Sequence, residues 1–140
     1  MTAKQAQHLG VYGVIHRLGQ ILLVKKTRGP YTGKWDLPGG KLQHGETIFE
    51  ALSRELKEEV NLSIDEKEVR FWANLTALTE DKEHSFFHIG LLYEIVQFDP
   101  QMISHNIVRE DVGGAAWLSL DAFNKNELTP FARDAINKLS

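Results

Sequence analysis

The sequence predicts an α/β or α+β sandwich built on a mixed sheet. Three observations support this: two β-rich runs open the chain, one amphipathic helix follows a glycine-rich loop, and further β-rich runs precede a second helix. This order is typical of a sheet with helices packed on its faces. With 140 residues, of which 42% are hydrophobic, the chain is expected to form one domain over residues 1–140.

The first strands are predicted at residues 9–17 and 21–26, where β-branched and aromatic residues predominate around a glycine-containing turn. Residues 27–45 contain two prolines and five glycines. They are predicted to form a loop with only a short extended segment at residues 35–37.

The first helix is predicted to begin at Thr47, because Thr47 and Glu50 have the spacing of a capping box. Asn61 is expected to end it, since asparagine adopts the left-handed conformation more readily than most residues. Apolar residues at four-residue spacing predict a buried stripe on this helix: Ile48, Leu52, Leu56 and Val60.

The later elements are three strands and a helix. Strands are predicted at residues 70–78 and 85–96, on either side of a charged turn, and a shorter one at 115–118. A proline-opened amphipathic helix is predicted at residues 129–139.

Composition excludes several classes of function. The net charge of -3 gives no basic surface for a nucleic-acid duplex. The absence of cysteine rules out disulfides, zinc–thiolate sites and thiol nucleophiles. The first ten residues are polar and no later apolar run reaches the ~20 residues of a membrane span, so no membrane partner and a cytoplasmic location are expected.

Three glutamates, Glu55, Glu58 and Glu59, crowd the end of the first helix. At about 100° per residue they fall beside the apolar stripe, and Glu59 falls inside it. A carboxylate at the edge of a core must be paired, protonated or bound to a cation. Arg54 alone offers pairing, whereas three converging carboxylates favour a hard divalent cation such as Mg²⁺.

The loop before the helix supports a cation site. Gly39 and Gly40 lack side chains, so the backbone can approach a ligand closely and a carbonyl oxygen can serve as a further metal ligand. The six histidines predict no such site: His84 and His88 lie too far apart along a strand to share a metal, so satisfied or exposed side chains are expected. A substrate contact by His44 has no support.

The stretch GKLQHGETIFEALSRELKEEVNL, residues 40–62, resembles the Nudix box. Asn61 is the one departure, because the family has glycine there, and its helix-ending role is expected to survive. The matching positions are Gly40, Glu46, Arg54, Glu55, Leu56, Glu58, Glu59 and Leu62. The resemblance to Nudix (MutT-like) hydrolases implies an α/β/α sandwich with a central mixed sheet, and hydrolysis of a nucleoside diphosphate derivative with Mg²⁺, or alternatively Mn²⁺.

The resemblance also implies roles for individual residues. The metal ligands would be the Gly39 carbonyl, Glu55, Glu58 and Glu59, and Arg54 would orient a box glutamate. Glu46 matches the box, with a structural role as its alternative. The general base would be Glu55 or a later loop acid, for which Glu110 is the first candidate and Asp111 the second, followed by Glu80 and Glu83.

The substrate is less well indicated. Arg28, Tyr31 and Lys34 precede the box and are the substrate-binding candidates; further aromatic candidates are Trp35, Trp72, Phe86 and Phe87. Residues 76–80 lack the proline or tyrosine that marks some ADP-ribose and diadenosine polyphosphate enzymes of the family, which favours a (deoxy)nucleoside triphosphate. ADP-ribose, dinucleotides and nucleotide sugars remain alternatives, as does a non-catalytic nucleotide-binding module. A homodimer is common in the family.

Overall fold

The computed structural model describes residues 4–140, so the first three residues of the polar amino-terminal stretch lie outside the described residues. The described chain forms eight strands and two α-helices. The strands are β1 (Lys4–Val14), β2 (His16–Arg17), β3 (Gln20–Lys26), β4 (Trp35–Asp36), β5 (Gly39–Lys41), β6 (Val69–Glu80), β7 (His84–Ile95) and β8 (Val112–Ser119). The helices are α1 (Ile48–Val60) and α2 (Pro130–Leu139).

The strands form two sheets. One has the order β5-β1-β7-β6, with β1 and β7 parallel and the other pairs antiparallel, so it is mixed as predicted. The other contains β2, β3 and β4, with β8 on β3, and all its pairs are antiparallel. The mixed sheet is therefore confirmed, and the second, antiparallel sheet forms because β3 pairs with β2, β4 and β8.

The helices lie on opposite sides of the sheets. Leu52, Leu56 and Val60 of α1 pack with Val11 and Leu22 in one apolar core. Phe131, Ala135 and Ile136 of α2 pack with Val14 and Leu92 in the other. The consecutive side chains of β1 and β3 thus point into different cores, as strand geometry requires. The predicted α/β/α sandwich is confirmed.

Several element boundaries differ from the prediction. Strand β1 begins at Lys4 rather than residue 9, because its polar first half pairs residue by residue with β7. Strand β5 lies in the predicted loop and forms because it pairs with β1. Ile48, predicted to be buried, is 37% exposed, because the first turn of α1 extends beyond the core.

Both ends of α1 form as predicted. Thr47 accepts from the Glu50 backbone N–H, and the Glu50 side chain accepts from the Thr47 N–H, which completes the capping box. Asn61 adopts the left-handed conformation at φ 58° and ψ 31°. Its side-chain Nδ2 also donates to the Met102 carbonyl at 3.2 Å, so the asparagine ties the helix end to a neighbouring loop.

Within residues 4–140, no helix is long and apolar enough to cross a membrane.

The end of α1 gives a stability prediction. Asn61→Gly should change the free energy of unfolding by less than about 1 kcal/mol, because relief of left-handed strain offsets the lost hydrogen bond to Met102. Asn61→Val should cost about 1–3 kcal/mol, because valine pays the strain and also loses the bond. Urea unfolding of the three proteins measures both effects. Equal costs for the glycine and valine variants would contradict this account.

Candidate active site

The most buried charged group of α1 is Glu59, whose exposure is only 3%. The Gly39 backbone N–H donates to Glu59 Oε1 at 2.9 Å. Gly39 has φ +147°, and a Cβ there would collide with the Val11 carbonyl oxygen. Only glycine therefore allows β5 to lie against β1 and still present its N–H to this carboxylate.

Glu55 lies one turn before Glu59, and its side chain is 13% exposed. A Cβ on Gly40 would lie 2.8 Å from the Glu55 carboxyl carbon. The missing side chain at residue 40 thus makes room for this carboxylate. The two consecutive glycines of β5 each accommodate one glutamate of α1.

Arg54 connects the acidic side chains around the site. Its Nε and Nη2 donate to the two oxygens of Glu46 at 2.7 and 3.0 Å, which is a bidentate pair. Its Nη1 donates to Glu55 Oε1 at 2.9 Å and lies 3.5 Å from Glu58 Oε2. Nη2 also reaches the Lys41 carbonyl at 3.2 Å. Arg54 therefore fixes α1 to the preceding loop and orients Glu55.

The protonation of the buried carboxylates reflects their surroundings. Burial raises the pKa of Glu59 well above its usual value, and the Gly39 hydrogen bond opposes this only in part. Burial also raises the pKa of Glu55, with Arg54 acting in the opposite direction. In contrast, the hydrogen bond from Arg54 lowers the pKa of Glu46. Glu55 and Glu59 are thus desolvated acids that a nearby cation would favour in the ionised form.

The donor chemistry of this cluster fits a hard divalent cation. Carboxylate oxygens are the ligands that Mg²⁺ prefers, and two desolvated carboxylates gain most from a cation. Across residues 4–140, however, no three Asp, Glu, His or Cys side chains are gathered closely enough to hold a metal ion in the present arrangement. Glu55 is turned towards Arg54, and Gly39 contributes its N–H to Glu59. The ligand roles of the Gly39 carbonyl, Glu55, Glu58 and Glu59 stay predictions.

The acid groove is a cavity of about 430 Å³ between α1 and the loop that precedes β8. Its lining consists of Gly40, Lys41, Gln43, Arg54, Glu55, Glu58, Glu59, Arg109, Glu110 and Asp111. The three box glutamates and both loop acids thus lie around one groove. The more distant candidates do not line it: Glu80 lines a different cavity, and Glu83 lies in the β6–β7 turn.

The two loop acids differ in position. Glu110, the first candidate for a general base, has an 89% exposed side chain paired with Arg28 at 3.2 Å. Asp111 is 51% exposed and pairs with Lys26 at 3.2 Å. The charge of Asp111 contributes to raising the pKa of both Glu55 and Glu59, so it lies close to the buried acids. The general-base roles of Glu110 and Asp111 stay predictions.

An aromatic cavity of about 250 Å³ adjoins the acid groove. It shares Gly40, Lys41 and Asp111 with the groove. Its other lining residues include His8, Tyr12, Lys26, Arg28, Tyr31, Asp36, His88 and Phe131. A third cavity, of about 530 Å³, continues from it past His8 and His88 to Phe86.

Two of the three predicted substrate-binding residues line the aromatic cavity. Arg28 and Tyr31 are in its wall, and the Tyr31 hydroxyl bonds Thr79 Oγ1 at 2.9 Å. Lys34 lines none of the three cavities described. Of the further aromatic candidates, Trp35 and Trp72 pack against the α2 core and Phe86 lines the third cavity.

His88 corrects one expectation. It was predicted to be satisfied or exposed, but it is 9% exposed and its Nε2 has no hydrogen-bond partner among residues 4–140. Its ring lies 5.4 Å from that of His8 and 5.1 Å from that of Tyr31. His84, in contrast, is partly exposed and contacts Asp81.

The sequence interpretation missed part of the cavity wall: His8, Tyr12, Asp36 and Phe131. His8 and Tyr12 lie on the same face of β1, and His8 pairs with His88 in the parallel register. The alternation of side chains between the two faces of a strand predicts that His8 and Tyr12 share one face of β1. No local signal shows which strand lies beside β1. Asp36 is buried and accepts from Thr129 Oγ1 at 2.6 Å, which links β4 to the start of α2.

A model of the NUDIX domain matches residues 6–139 of the chain. Among curated proteins, the nucleoside triphosphatase NudI of Enterobacter sp. (strain 638) is 28% identical over 83% of this chain and 86% of that protein. An ADP-ribose pyrophosphatase of Methanocaldococcus jannaschii is 44% identical over 39% of this chain, but the match spans only 32% of that protein. The crystal structure of a MutT NUDIX hydrolase from Burkholderia pseudomallei has a TM-score of 0.79 at 24% identity, covering 96% of this chain and 99% of that one.

The Arg54 network predicts that lysine cannot replace this arginine. Lysine has a single nitrogen, which cannot bridge Glu46, Glu55 and the Lys41 carbonyl at once. Arg54→Lys should lower the free energy of unfolding by about 1–3 kcal/mol, because mostly buried acids lose a partner. The exposed Arg17→Lys, as a control, should stay within about 0.5 kcal/mol. Equal stability of Arg54→Lys and wild type in urea would contradict this role.

The buried Glu59 predicts a pH effect in metal-free protein. Because its folded pKa is raised, the folded state holds a proton that the unfolded state releases from about pH 4.5, so stability falls as pH rises through this window. Glu59→Gln keeps an oxygen for the Gly39 N–H and removes the titration. The variant should therefore lose less stability than wild type between pH 5 and pH 8, measured by urea unfolding with a chelator. A steeper loss in the variant would contradict this assignment.

Proposed function

The chain belongs to the NUDIX domain family, and from this premise we propose that it hydrolyses a (deoxy)nucleoside triphosphate to a monophosphate and pyrophosphate. As a Nudix hydrolase it is a pyrophosphohydrolase, and its family generally uses divalent metal ions. Within this family, the triphosphate substrate is our proposal, and so is Mg²⁺ as the metal ion, with Mn²⁺ as the alternative. We also propose a cytoplasmic location, with a homodimer as one candidate for the oligomeric state.

One observation carries the proposal: the acid groove and the aromatic cavity meet at Gly40, Lys41 and Asp111. A nucleotide has the same two parts, a charged phosphate chain and a flat base. The groove offers carboxylates for cation-bound phosphates, and the cavity offers aromatic surfaces of the kind that bind bases. A substrate across the junction would place its phosphate chain beside α1.

We assign the groups that hydrolysis requires to the acid groove. The cation would be held by Glu55, Glu58, Glu59 and the Gly39 carbonyl, and when bound it neutralises phosphate charge and acts as a Lewis acid. A general base takes a proton from water as the water oxygen attacks phosphorus and the bond to pyrophosphate breaks. Candidates for this base are Glu55, Asp111 and Glu110. Arg54 holds Glu55 in place.

A second candidate substrate is supported by the third cavity. The third cavity has a volume of about 530 Å³ and extends beyond the aromatic cavity. This space would accommodate a second moiety, as in ADP-ribose, a dinucleotide or a nucleotide sugar. A panel of substrates therefore needs to include these classes.

The experiment measures phosphate and pyrophosphate release from nucleoside triphosphates, oxidised dNTPs, ADP-ribose, dinucleoside polyphosphates and nucleotide sugars, each with and without Mg²⁺ or Mn²⁺. Metal-dependent pyrophosphate release from triphosphates is expected. Cleavage of ADP-ribose alone would move the assignment to the second candidate. Tight binding of a nucleotide without any product would instead indicate a non-catalytic binding module.

The same assay tests the metal-ligand prediction. Glu58→Gln should lower turnover by at least about 100-fold, since it removes a charged ligand. Folding should be unaffected, because Glu58 is 34% exposed. The exposed Glu127→Gln serves as a control that removes an equal charge and should behave as wild type. Full activity of Glu58→Gln would refute the ligand role.

A further inference from the structure

Tyr12 holds a fixed position in the wall of the aromatic cavity. It lies on β1 directly opposite Gly39, the residue whose N–H binds Glu59. A Cβ on Gly39 would lie 2.9 Å from the Tyr12 ring. The Phe131 ring packs edge-on against the Tyr12 ring, with 5.5 Å between the ring centroids. The ring is therefore held between β5 and α2.

Gly10 makes room for the Tyr12 hydroxyl. The two residues lie on the same face of β1, and a Cβ on Gly10 would lie 2.5 Å from the hydroxyl oxygen. Any larger residue at position 10 would displace the phenol. The conformation of Tyr12 thus depends on glycines at positions 10 and 39.

The Tyr12 hydroxyl has no hydrogen-bond partner in the protein among residues 4–140, although its side chain lines the cavity. Tyr31 across the cavity differs, because its hydroxyl is bonded to Thr79. Tyr12 is partly exposed to the cavity, so a bound ligand can reach its hydroxyl. A phenol hydroxyl carries a proton at neutral pH, so it can donate a hydrogen bond to a ligand.

The cavity wall carries charges of both signs, because Asp36 and Asp111 line it beside three cationic side chains. Lys26, Arg28 and Lys41 line the same cavity. Lys26 and Arg28 are paired with loop acids, whereas Lys41 forms no ion pair within the described part of the chain. A phosphate at the junction of the acid groove and the aromatic cavity would lie near Lys41, the cation of this wall without an ion pair among the described residues.

We propose that the Tyr12 hydroxyl donates a hydrogen bond to an oxygen of the phosphate attached to the nucleoside. The inference rests on the proposed function, because it takes the phosphate chain to lie in the groove and the base to lie in the cavity. Tyr12 is then a substrate-positioning residue that fixes the phosphorus relative to the glutamates of α1.

The kinetic test is Tyr12→Phe, which removes only the hydroxyl. The variant should lower kcat/KM for the triphosphate cleaved fastest by wild type by about 10- to 100-fold, as expected for a hydrogen bond to a charged group. Tyr93→Phe removes a hydroxyl on the other face of the sheet and should match wild type. Gly10→Ala keeps the hydroxyl but displaces it, so it should show a similar loss to Tyr12→Phe.

Binding separates a phosphate contact from a structural role. Calorimetry with dAMP, dCMP, dGMP and dTMP, and with the four matching deoxynucleosides, should show a weaker affinity of Tyr12→Phe for the monophosphates. Affinity for the nucleosides, measured the same way, should be unchanged. Equal losses for nucleotides and nucleosides would overturn the phosphate assignment, as would wild-type kcat/KM and monophosphate affinity in a folded variant.

The outcomes also distinguish this inference from the proposed function. A wild type that cleaves no member of the panel refutes the proposed function, while monophosphate binding still decides the role of Tyr12. A wild type that cleaves triphosphates, with Tyr12→Phe unchanged in kinetics and binding, refutes the inference alone. Melting temperatures of all variants show whether a loss reflects unfolding.

Discussion

The site depends on the close approach of β5 to α1, which brings the Gly39 N–H to the buried Glu59 carboxylate. An ionised carboxylate in this position is costly, because burial removes water and a single backbone donor reaches it within the described chain. The approach is possible only because residues 39 and 40 lack side chains, since a Cβ at either position would collide with neighbouring atoms. The same pair of glycines therefore joins β5 to β1, makes room for Glu55 and gives Glu59 its hydrogen bond.

Arg54, which lines the acid groove, compensates for part of this acidity. Its bidentate bond goes to Glu46, which lies outside α1, and its remaining donors reach Glu55 and the Lys41 carbonyl. Five donors in a rigid fork allow one residue to orient three segments. Glu46, for which the sequence left a structural role open, thus helps to position Glu55, because it fixes the arginine that holds Glu55.

Local features of the chain were readable from the sequence. The capping box, the left-handed Asn61 and the inward direction of Glu59 follow from spacing along one helix, and the structure has all three. Features set by contacts between distant segments could not be predicted from the sequence. The parallel pairing of β1 with β7 brings His8 beside His88, and no local pattern specifies that neighbour. The predicted burial of Ile48 is wrong for a related reason. Helical spacing gives the face on which a residue lies, but not whether a core lies opposite that face.

A bound phosphate can replace the acid that pairs with Arg28 in the wall of the aromatic cavity. Arg28 and Glu110 form an exposed pair, and such pairs contribute only about 0–1 kcal/mol. A phosphate near Arg28 could replace Glu110 as its partner at little cost, because both offer negatively charged oxygens. Glu110 would then be free to turn towards the acid groove that it already lines. The exposed position of Glu110 is therefore compatible with a role that begins only when substrate is bound, whereas Asp111 lies close to the buried acids without any rearrangement.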